Sequence, residues 1–528
     1  MVGMAKKKGT VPKAEVKQEG RTRSFLTIGA ANFVDRADMQ ALPTYYTSIG
    51  RELAVTRGAL GLITTTRSAL QTIAAPFWGY LADRYSRRSV LTIGCIIWGV
   101  FTLLCAYAGD FSTLLFFRLL AGFGLATIIP TGFSLVVDMF KPEDRGKWLG
   151  IFQMIGVLGI AIVVPVLGMM DAPSYTFGLE SNLLQLSIYQ SIYPNTITIL
   201  TQLYAFDTLM KYTVHYGAWR SGFILLAIIS FIVAALVWFL VKEPPRGATE
   251  EELKDVLTVE AAEKYKIDRK AIGEILRTKT MIIIISQGML GYMPWVVLQA
   301  WLVHWLESVR YISPSEATLV FAVLVVGVAI GNGIGGWLGD KGEKRSFNKG
   351  RIIVAQISVF SGIPLVLLTL TQPFGITEYI VLMFITAVLV SWAGPAAVQP
   401  MVANVTKPEV RSTSFSIEQM FEGGFAAIAA VLTGYLADTI NGGIAGFTMQ
   451  NITPYMGVWL GLVPLSLLIG LFTLSGQSLT TAMLLTITIP WVICLLIWFL
   501  AYRTYPKDRD RILELMEQRR REITGNSG

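Results

Sequence analysis

Apolar segments of about 18 residues or more recur along the whole length of this 528-residue chain. Segments of this kind cross the hydrocarbon core of a bilayer as helices. The composition agrees, because 53% of the residues are hydrophobic and only 15% are charged, whereas about a quarter of an average soluble domain is charged. The sequence therefore predicts an all-α, polytopic membrane protein and excludes a soluble one.

Twelve spans can be placed along the chain. They cover residues 24–48, 58–82, 89–108, 112–137, 147–169, 219–241, 280–306, 316–339, 351–371, 377–403, 412–436 and 480–502. The residues before the first span are polar and basic, without the short apolar core and cleavage site of a signal peptide. We therefore expect residues 1–23 to be a cytoplasmic tail.

The distribution of basic residues predicts the orientation of the spans. If the N-terminus is cytoplasmic, 36 of the 44 Lys and Arg residues fall in cytoplasmic segments. Such an excess marks the cytoplasmic side of a membrane protein. We expect both termini to be cytoplasmic and the protein to lie in a cell (inner or plasma) membrane. The net charge of +8 is thus explained by topology, and no nucleic-acid partner is predicted.

Two pairs of matching motifs indicate that the chain is a duplicated bundle. "GYLADRYSRR" (79–88) follows the second span and "GWLGDKGEKR" (336–345) follows the eighth, while "KPEDR" (141–145) and "KPEVR" (407–411) follow the fourth and tenth. Matched motifs at matched positions are typical of repeats related by an axis along the membrane normal. The predicted fold is therefore twelve transmembrane helices in two pseudo-symmetric six-helix bundles.

The domain boundaries follow from the long polar stretch in the middle of the chain. We predict an N-terminal bundle at 24–241 with an outer insert at 171–217, a cytoplasmic linker at 242–279, a C-terminal bundle at 280–505 with an outer insert at 438–478, and a cytoplasmic tail at 506–528. Part of the second insert is apolar enough for a thirteenth span, but that would put the basic C-terminal tail outside, against the charge rule. The inserts fit either a path for an amphiphile or a partner surface.

These motifs resemble those of the major facilitator superfamily. "GYLADRYSRR" resembles its loop between spans two and three, although the family usually has Gly where Ser86 stands. "RLLAGFGLA" (118–126) resembles its fourth-span motif, and "GAWRSGF" (217–223) the entry to its sixth span. The resemblance implies two six-helix bundles and a transporter that works by alternating access.

Within the superfamily, two segments narrow the resemblance. The stretch Asn32–Arg36, "NFVDR", together with "KEPPRG" (242–247), is similar to spinster-type lysolipid transporters. An Asp-Arg pair in span one is also shared by symporters that move organic anions with protons. Both groups usually have a Glu about seven residues after the Arg of span four, and here that position is Leu125.

Three charged residues, Asp35, Arg36 and Asp38, interrupt the first span. At about 1.5 Å per residue Asp35 lies roughly 16 Å into the span, where each charge costs at least about 2.5–3.5 kcal/mol. Such groups must face water or each other. Arg36 is predicted to bind a substrate anion, because a guanidinium grips phosphate or carboxylate with two prongs and keeps its proton. Asp35 and Asp38 are predicted to carry protons; a structural buried ion pair is the alternative.

Further charges within spans extend this predicted site. Arg67 and Arg118 are candidate second contacts to an anion, although Arg118 fits a structural or coupling role equally well. Glu422 is the best substitute for the carboxylate absent at Leu125, and Glu418, one turn earlier, is expected to be structural. We found no His or Cys cluster for a metal, and no cofactor is predicted.

The repeated motifs also predict a gate at the cytoplasmic ends. Asp83 is expected to cap the positive N-terminus of span eleven near Ser412. The residues expected to add ion pairs or repeat this role in the other half are Arg84, Arg145, Asp340 and Lys341. Simple positive-inside anchoring is the alternative for the basic residues, but it does not explain the repeated Asp.

Together these features predict a secondary active transporter, proton-coupled, for an amphiphilic anion such as a lysophospholipid. The runner-up is a proton-coupled symporter of small organic anions such as sugar acids and carboxylates. A third hypothesis, a non-transporting receptor or scaffold, leaves the paired gate motifs unexplained. An enzyme is not expected, because no nucleophile–base or metal constellation is present. The predicted partners are a small-molecule or lipid substrate, protons and the lipid bilayer.

Overall fold

The computed structural model describes residues 18–55, 57–171, 218–250, 269–441 and 478–524. Within these ranges the chain forms helices and short connections, with no strand. Nearly all of the two predicted outer inserts, including the candidate thirteenth span, lies outside the described residues, as does most of the predicted N-terminal tail.

Helices account for almost all of the first half because apolar spans must satisfy every backbone group internally. They are α1 (Gln18–Thr44), α2 (Tyr46–Glu52), α3 (Arg57–Arg84), α4 (Arg87–Cys105), α5 (Phe111–Leu125), α6 (Ile128–Met139), α7 (Arg145–Asp171) and α8 (Ala218–Leu240). The helices α5 and α6 follow each other so closely that they make one span, Phe111–Met139.

The second half repeats this arrangement after a short helix in the linker. Its helices are α9 (Arg269–Arg277), α10 (Lys279–Arg310), α11 (Pro314–Arg345), α12 (Gly350–Thr371), α13 (Ile376–Val390), α14 (Gln399–Val405), α15 (Arg411–Asn441) and α16 (Ser478–Thr524). A π-helical segment, Gly394–Val398, lies between α13 and α14, which together make one span, Ile376–Val405.

Ten helices among the described residues are long and apolar enough to cross a membrane. Two further long helices, α1 and α3, complete six spans in each half. These two fall short in hydropathy because they carry charged side chains, among them Asp35, Arg36 and Arg67. The least apolar spans are therefore the ones that bring charge into the bundle.

The two halves pack closely at the end where the linker residues 241–250 lie, which we call the linker side. There α7 and α11 approach through glycines: a methyl group added at Gly150 would lie 2.3 Å from the carbonyl oxygen of Asn332. Small residues at such positions let membrane helices touch backbone to backbone. The linker side is closed in this structure.

The last helix, α16, runs unbroken for 47 residues, or about 70 Å at 1.5 Å per residue. It therefore extends well beyond the bilayer, and the predicted tail from residue 506 is its continuation as far as Thr524. Buried Ile512 and Met516 hold this extension against the bundle. Its Asp508 caps the start of α10 by accepting hydrogen bonds from the backbone N–H (2.9 Å) and hydroxyl (2.7 Å) of Thr280.

Candidate functional site

Asp38 is the centre of a buried charge cluster in the first half. Its carboxylate accepts hydrogen bonds from Nη2 of Arg67 at 2.8 Å and from Nη1 of Arg118 at 3.1 Å. Arg118 also donates to the backbone carbonyl of Asp38 at 3.3 Å. Asp38 is fully buried and both arginines are 1% exposed, so the three groups compensate each other away from water.

Asp35 lies one turn before Asp38 on the same face of α1. It is 1% exposed, and its Oδ1 accepts a hydrogen bond from the side-chain amide of Gln71 on α3 at 3.2 Å. Arg36 acts on it electrostatically, and Arg67 does so more weakly. Asp35 is thus held by a neutral donor and lacks the direct ion pairs that surround Asp38.

Arg36 points elsewhere, because successive residues on a helix are about 100° apart. It is only partly buried, and it faces the second half of the molecule. There its charge acts on the phenol of Tyr292 on α10 and on the carboxylate of Glu422 on α15. The structure thus has the aspartates against neighbouring helices and the arginine between the halves.

The formal charges of the first-half cluster cancel without Arg36. Asp35 and Asp38 bring two negative charges, and Arg67 and Arg118 bring two positive ones. Arg36 is a further cation beside this neutral cluster, and it acts electrostatically on Asp35 of its own half and on Glu422 of the second half. Arg67 and Arg118, predicted as further anion contacts, do not reach the interface between the halves in this structure.

Glu422 and Glu418 supply the negative charge of the second half. Glu422 is partly exposed, whereas Glu418 is 2% exposed, and the two carboxyl groups, one helical turn apart, act on each other electrostatically. Among the described residues no cluster of three or more His, Cys, Asp or Glu side chains could hold a metal ion.

On the linker side, Asp83 of the first half and Asp340 of the second half make equivalent contacts, each with a helix of the other half. Asp83, at the end of α3, accepts hydrogen bonds from the backbone N–H groups of Ser412 (3.1 Å) and Thr413 (2.7 Å) at the start of α15. Asp340, near the end of α11, accepts from Gly146 (2.9 Å) and Lys147 (2.6 Å) at the start of α7. Each carboxylate thus holds the positive end of a helix in the other half.

The first residues of these two capped helices, Arg145 and Arg411, converge on a single linker carboxylate. Oε1 of Glu250 accepts a hydrogen bond from Nη2 of Arg145 at 2.7 Å and another from Nη2 of Arg411. Arg145 also donates to Asn404 at 2.8 Å, and Arg411 to Asp138 at 2.7 Å. We call Glu250, Arg145 and Arg411 the linker clasp, because it joins both halves and the linker.

The sequence did not reveal the clasp, since Glu250 lies in an irregular segment without periodicity. Burial opposes ionisation of Glu250, but Arg145 and Arg411 outweigh it and lower its pKa from 4.5 to about 2. A carboxylate with a lowered pKa stabilises the closed form above its ordinary pKa, and this contribution is lost as the pH falls towards the lowered value. The clasp therefore stays ionised throughout the physiological pH range.

The remaining predicted gate residues do not join the halves among the described contacts. Arg84 is exposed and donates to the hydroxyl of Tyr80 at 3.1 Å. Lys341 is exposed and lies 4.9 Å from the ring centre of Trp337. Both sit at helix ends on the linker side, beside aromatic rings of their own half.

We expect Glu250→Gln to open the linker side. Breaking a buried ion pair costs about 3 kcal/mol, which corresponds to a shift of roughly 100-fold between the closed and open populations. Distances between spin labels on the linker-side ends of α3 and α15, measured by pulsed electron resonance, should lengthen, and the effect should not vary between pH 5 and 8.

Glu274→Gln is the matched control, because Glu274 pairs with Lys407 in an exposed contact (2.6 Å) that also lies on the linker side. Exposed pairs contribute about 1 kcal/mol or less, so its distance distribution should match that of the wild type. Equal distributions for Glu250→Gln and the wild type would refute the clasp.

Comparison with known proteins identifies the family. The sequence profile of the Major Facilitator Superfamily matches residues 28–179 and 208–430, which is more than half of the chain. The chain belongs to the Major Facilitator Superfamily. Its structure resembles that of a bacterial homologue of the human lysosomal transporter Spinster in an inward-facing, occupied conformation, with a TM-score of 0.55 and 19% identity over 93% of this chain and 99% of the other.

Curated relatives match shorter regions. Protein spinster of Drosophila melanogaster is 28% identical over 121 residues, which is 23% of this chain and 20% of the relative. A probable sulfoacetate transporter of Cupriavidus necator is 22% identical over 319 residues, which is 60% of this chain and 63% of the relative. The alignments therefore span less than two thirds of either relative.

These findings confirm three predictions. The chain has the twelve-helix, two-bundle fold of the superfamily, it is similar to spinster-type members, and it is a multi-pass membrane protein. The substrate, the coupling ion and the roles of individual residues remain predictions.

Proposed function

We propose that this protein is a proton-coupled secondary transporter of an amphiphilic anion such as a lysophospholipid, working by alternating access. The observation that carries the proposal is Arg36: it is partly exposed, it lies beside a cluster whose charges already cancel, and it faces Tyr292 and Glu422 of the second half. A cation that faces both bundles can hold an anion while access to it changes from one side of the membrane to the other.

Arg36 anchors the substrate anion. Its guanidinium presents paired donors that match a phosphate or carboxylate, and the contact to Glu422 keeps it balanced when no substrate is bound. Arg67 and Arg118 stay on Asp38 and add positive potential near the anion, while unsatisfied donors on both (Nε and Nη1 of Arg67, Nε of Arg118) leave room for direct contact after rearrangement.

Asp35 carries the coupling proton. When Asp35 is ionised, the first-half cluster is neutral apart from Arg36; when it is protonated, the cluster gains one positive charge and attracts an anion more strongly. Proton and anion binding then favour each other, and this coupling is reciprocal. Asp38 and Glu422 are the other protonatable groups of the pathway, with Asp38 restrained by its two arginines.

The transport cycle rocks one bundle against the other. In the present state the linker side is closed by Asp83, Asp340 and the linker clasp, so opening must break these contacts while substrate and proton change the populations. We place the linker side and both termini on the cytoplasmic side of a cell membrane, because the excess of Lys and Arg lies there. We keep the predicted domain boundaries as part of this proposal, with the linker clasp inside the linker.

The choice of an amphiphile rests on the spinster-type pattern at Asn32–Arg36 and 242–247 and on the similarity to protein spinster. A second candidate is proton-coupled symport of small organic anions, which the similarity to the probable sulfoacetate transporter favours. Both candidates use Arg36 and Asp35 in the same roles.

Asp35→Asn tests the proposal, because asparagine keeps the hydrogen bond to Gln71 but cannot carry a proton. In proteoliposomes with an imposed pH gradient, we expect the wild type to accumulate either lysophosphatidylglycerol or gluconate against its gradient. Asp35→Asn should lose this accumulation and keep exchange of labelled for unlabelled substrate.

Asp110→Asn provides the control, since Asp110 caps α5 at an exposed position and its loss should leave accumulation intact. The proposal fails if Asp35→Asn accumulates substrate like the wild type. It also fails if the wild type transports neither compound under the gradient.

A further inference from the structure

Two glutamates on α15 form a pair that the proposed mechanism leaves unexplained. Glu418 and Glu422 are one helical turn apart, so their side chains share a face and their charges act on each other. Glu418 is 2% exposed and its Oε1 has no hydrogen-bond partner among the described residues, whereas Glu422 is partly exposed. One carboxyl group is thus sealed behind another that reaches the interface.

The surroundings of the pair contain little to compensate two negative charges. Arg36 of α1 is the cation that acts on Glu422, and no cation acts on Glu418 among the described residues. The other titratable neighbours are neutral groups: Tyr292 of α10, which Arg36 also influences, and the buried thiol of Cys494 on α16.

Glu422 packs closely against α10, where the missing side chain of Gly288 leaves space for its carboxyl group. A methyl group added at Gly288 would lie 3.3 Å from Oε2 of Glu422. On the α3 side, Thr72 lies against the adjacent Gly423. Glu422 therefore sits where α3, α10 and α15 come together, with Arg36 in front of it and Glu418 behind it.

Two carboxylates in contact cannot both stay ionised in a site of low polarity, because their repulsion and their desolvation act in the same direction. One proton shared by the pair leaves a single negative charge, and Arg36 balances that charge. The pair therefore holds one proton as long as Arg36 stays in place.

We propose that Glu418 and Glu422 form a second proton-binding site, which loads when a substrate anion takes Arg36 from Glu422. This inference rests on the proposed role of Arg36. Water at the interface supplies the proton, an O–H bond forms on the Glu422 carboxylate, and the pair becomes neutral with a proton on each residue. When the anion leaves, Arg36 returns and the second proton is released to water.

The consequence is a defined stoichiometry. Each transport cycle carries one proton on Asp35 and one on the glutamate pair, so a monoanion crosses with two protons and one net positive charge. Without the second site, a monoanion would cross with one proton and no net charge. Transport of a monoanion should therefore respond to the membrane potential.

The test measures the reversal potential of flux in proteoliposomes, with a fixed pH gradient and a potassium potential set by valinomycin. The probes are lysophosphatidylglycerol and gluconate, both monoanions. We expect two protons per anion for the wild type and for Glu418→Gln, in which Glu422 still gains a proton when the anion takes Arg36, and one proton per anion for Glu422→Gln. Glu378→Gln, at an exposed glutamate in the first turn of α13, should keep two.

The outcomes separate this inference from the proposed function. One proton per anion in the wild type, or two in Glu422→Gln, overturns the second site and leaves Asp35 coupling intact. Flux that does not respond to the pH gradient overturns both proposals. The thermal stability of each variant is measured alongside, and Glu422→Gln, at the partly exposed position, is the deciding variant.

Discussion

Arg36→Gln is expected to slow transport of an anionic substrate by at least about 100-fold. A paired guanidinium contact to an anion inside a site of low polarity is worth roughly 3 kcal/mol or more, and each 1.4 kcal/mol changes an equilibrium tenfold. Glutamine keeps a hydrogen-bond donor but removes the charge and the paired geometry. The measurement is initial uptake of lysophosphatidylglycerol or gluconate into proteoliposomes, with variant and wild type reconstituted at equal density.

Two variants separate charge from geometry at this position. Arg36→Lys keeps the charge without the paired donors and should recover part of the uptake. Arg88→Gln removes a cation that lies 5.0 Å from the ring of Trp238 at the linker-side end of α4, and it should transport like the wild type. Uptake by Arg36→Gln within a few-fold of the wild type would contradict the assignment of Arg36 as the anion anchor.

Asp38→Asn is expected to destabilise the protein by about 3–5 kcal/mol, because it leaves two buried guanidinium groups without their anion. Asp38 is fully buried between Arg67 and Arg118, and both arginines are 1% exposed. The apparent Tm of the purified protein should fall by roughly 10 °C. The measurement is thermal unfolding followed by tryptophan fluorescence in one detergent.

Removing one of the stranded cations should partly reverse this loss. We expect the double variant Asp38→Asn with Arg67→Met to unfold at a higher temperature than Asp38→Asn alone, since one buried charge fewer remains. Asp144→Asn, which disrupts only the exposed pair with Lys344 (3.1 Å), should change the Tm little. If Asp38→Asn were as stable as this control, the buried cluster would not have the energetic role described here.

The fold could be predicted because each step depended on local pattern. Apolar length predicted the spans, and the duplicated Asp83 and Asp340 motifs predicted that two carboxylates would occupy equivalent places. The sequence also placed Asp83 near Ser412, and the structure has its carboxylate 3.1 Å from that backbone nitrogen. The internal repeat made this prediction possible, because a contact of Asp83 in one half implied an equivalent contact of Asp340 in the other.

The site was less predictable because its contacts join residues far apart in the chain. The sequence showed that Arg36, Arg67 and Arg118 lie within spans. Which of them bind Asp38 and which face the interface depends on how each helix is rotated about its axis. A rotation of about 100° exchanges neighbouring residues between the interface and the interior. Gln71 and Tyr292 gave no signal, since isolated polar residues of these types are common in helices.

Glu250 shows a different limit. Its linker segment is irregular, so no periodicity placed it, and its partners, Arg145 and Arg411, lie 105 and 161 residues away. A helpful signal was nevertheless present: these two arginines occupy the same position in the repeated "KPEDR" and "KPEVR" motifs. Two equivalent cations near a symmetry axis require a shared anion, and the linker is the segment that can supply it.

Proton movement driven by substrate alone tests most directly whether anion and proton bind together at Arg36 and Asp35. Proteoliposomes containing a trapped pH-sensitive dye receive lysophosphatidylglycerol or gluconate with no imposed gradient. We predict that the interior acidifies as the substrate enters, and that a protonophore abolishes the pH change while substrate entry continues. Substrate entry with no change in internal pH, at equal sensitivity of the dye, would contradict proton coupling.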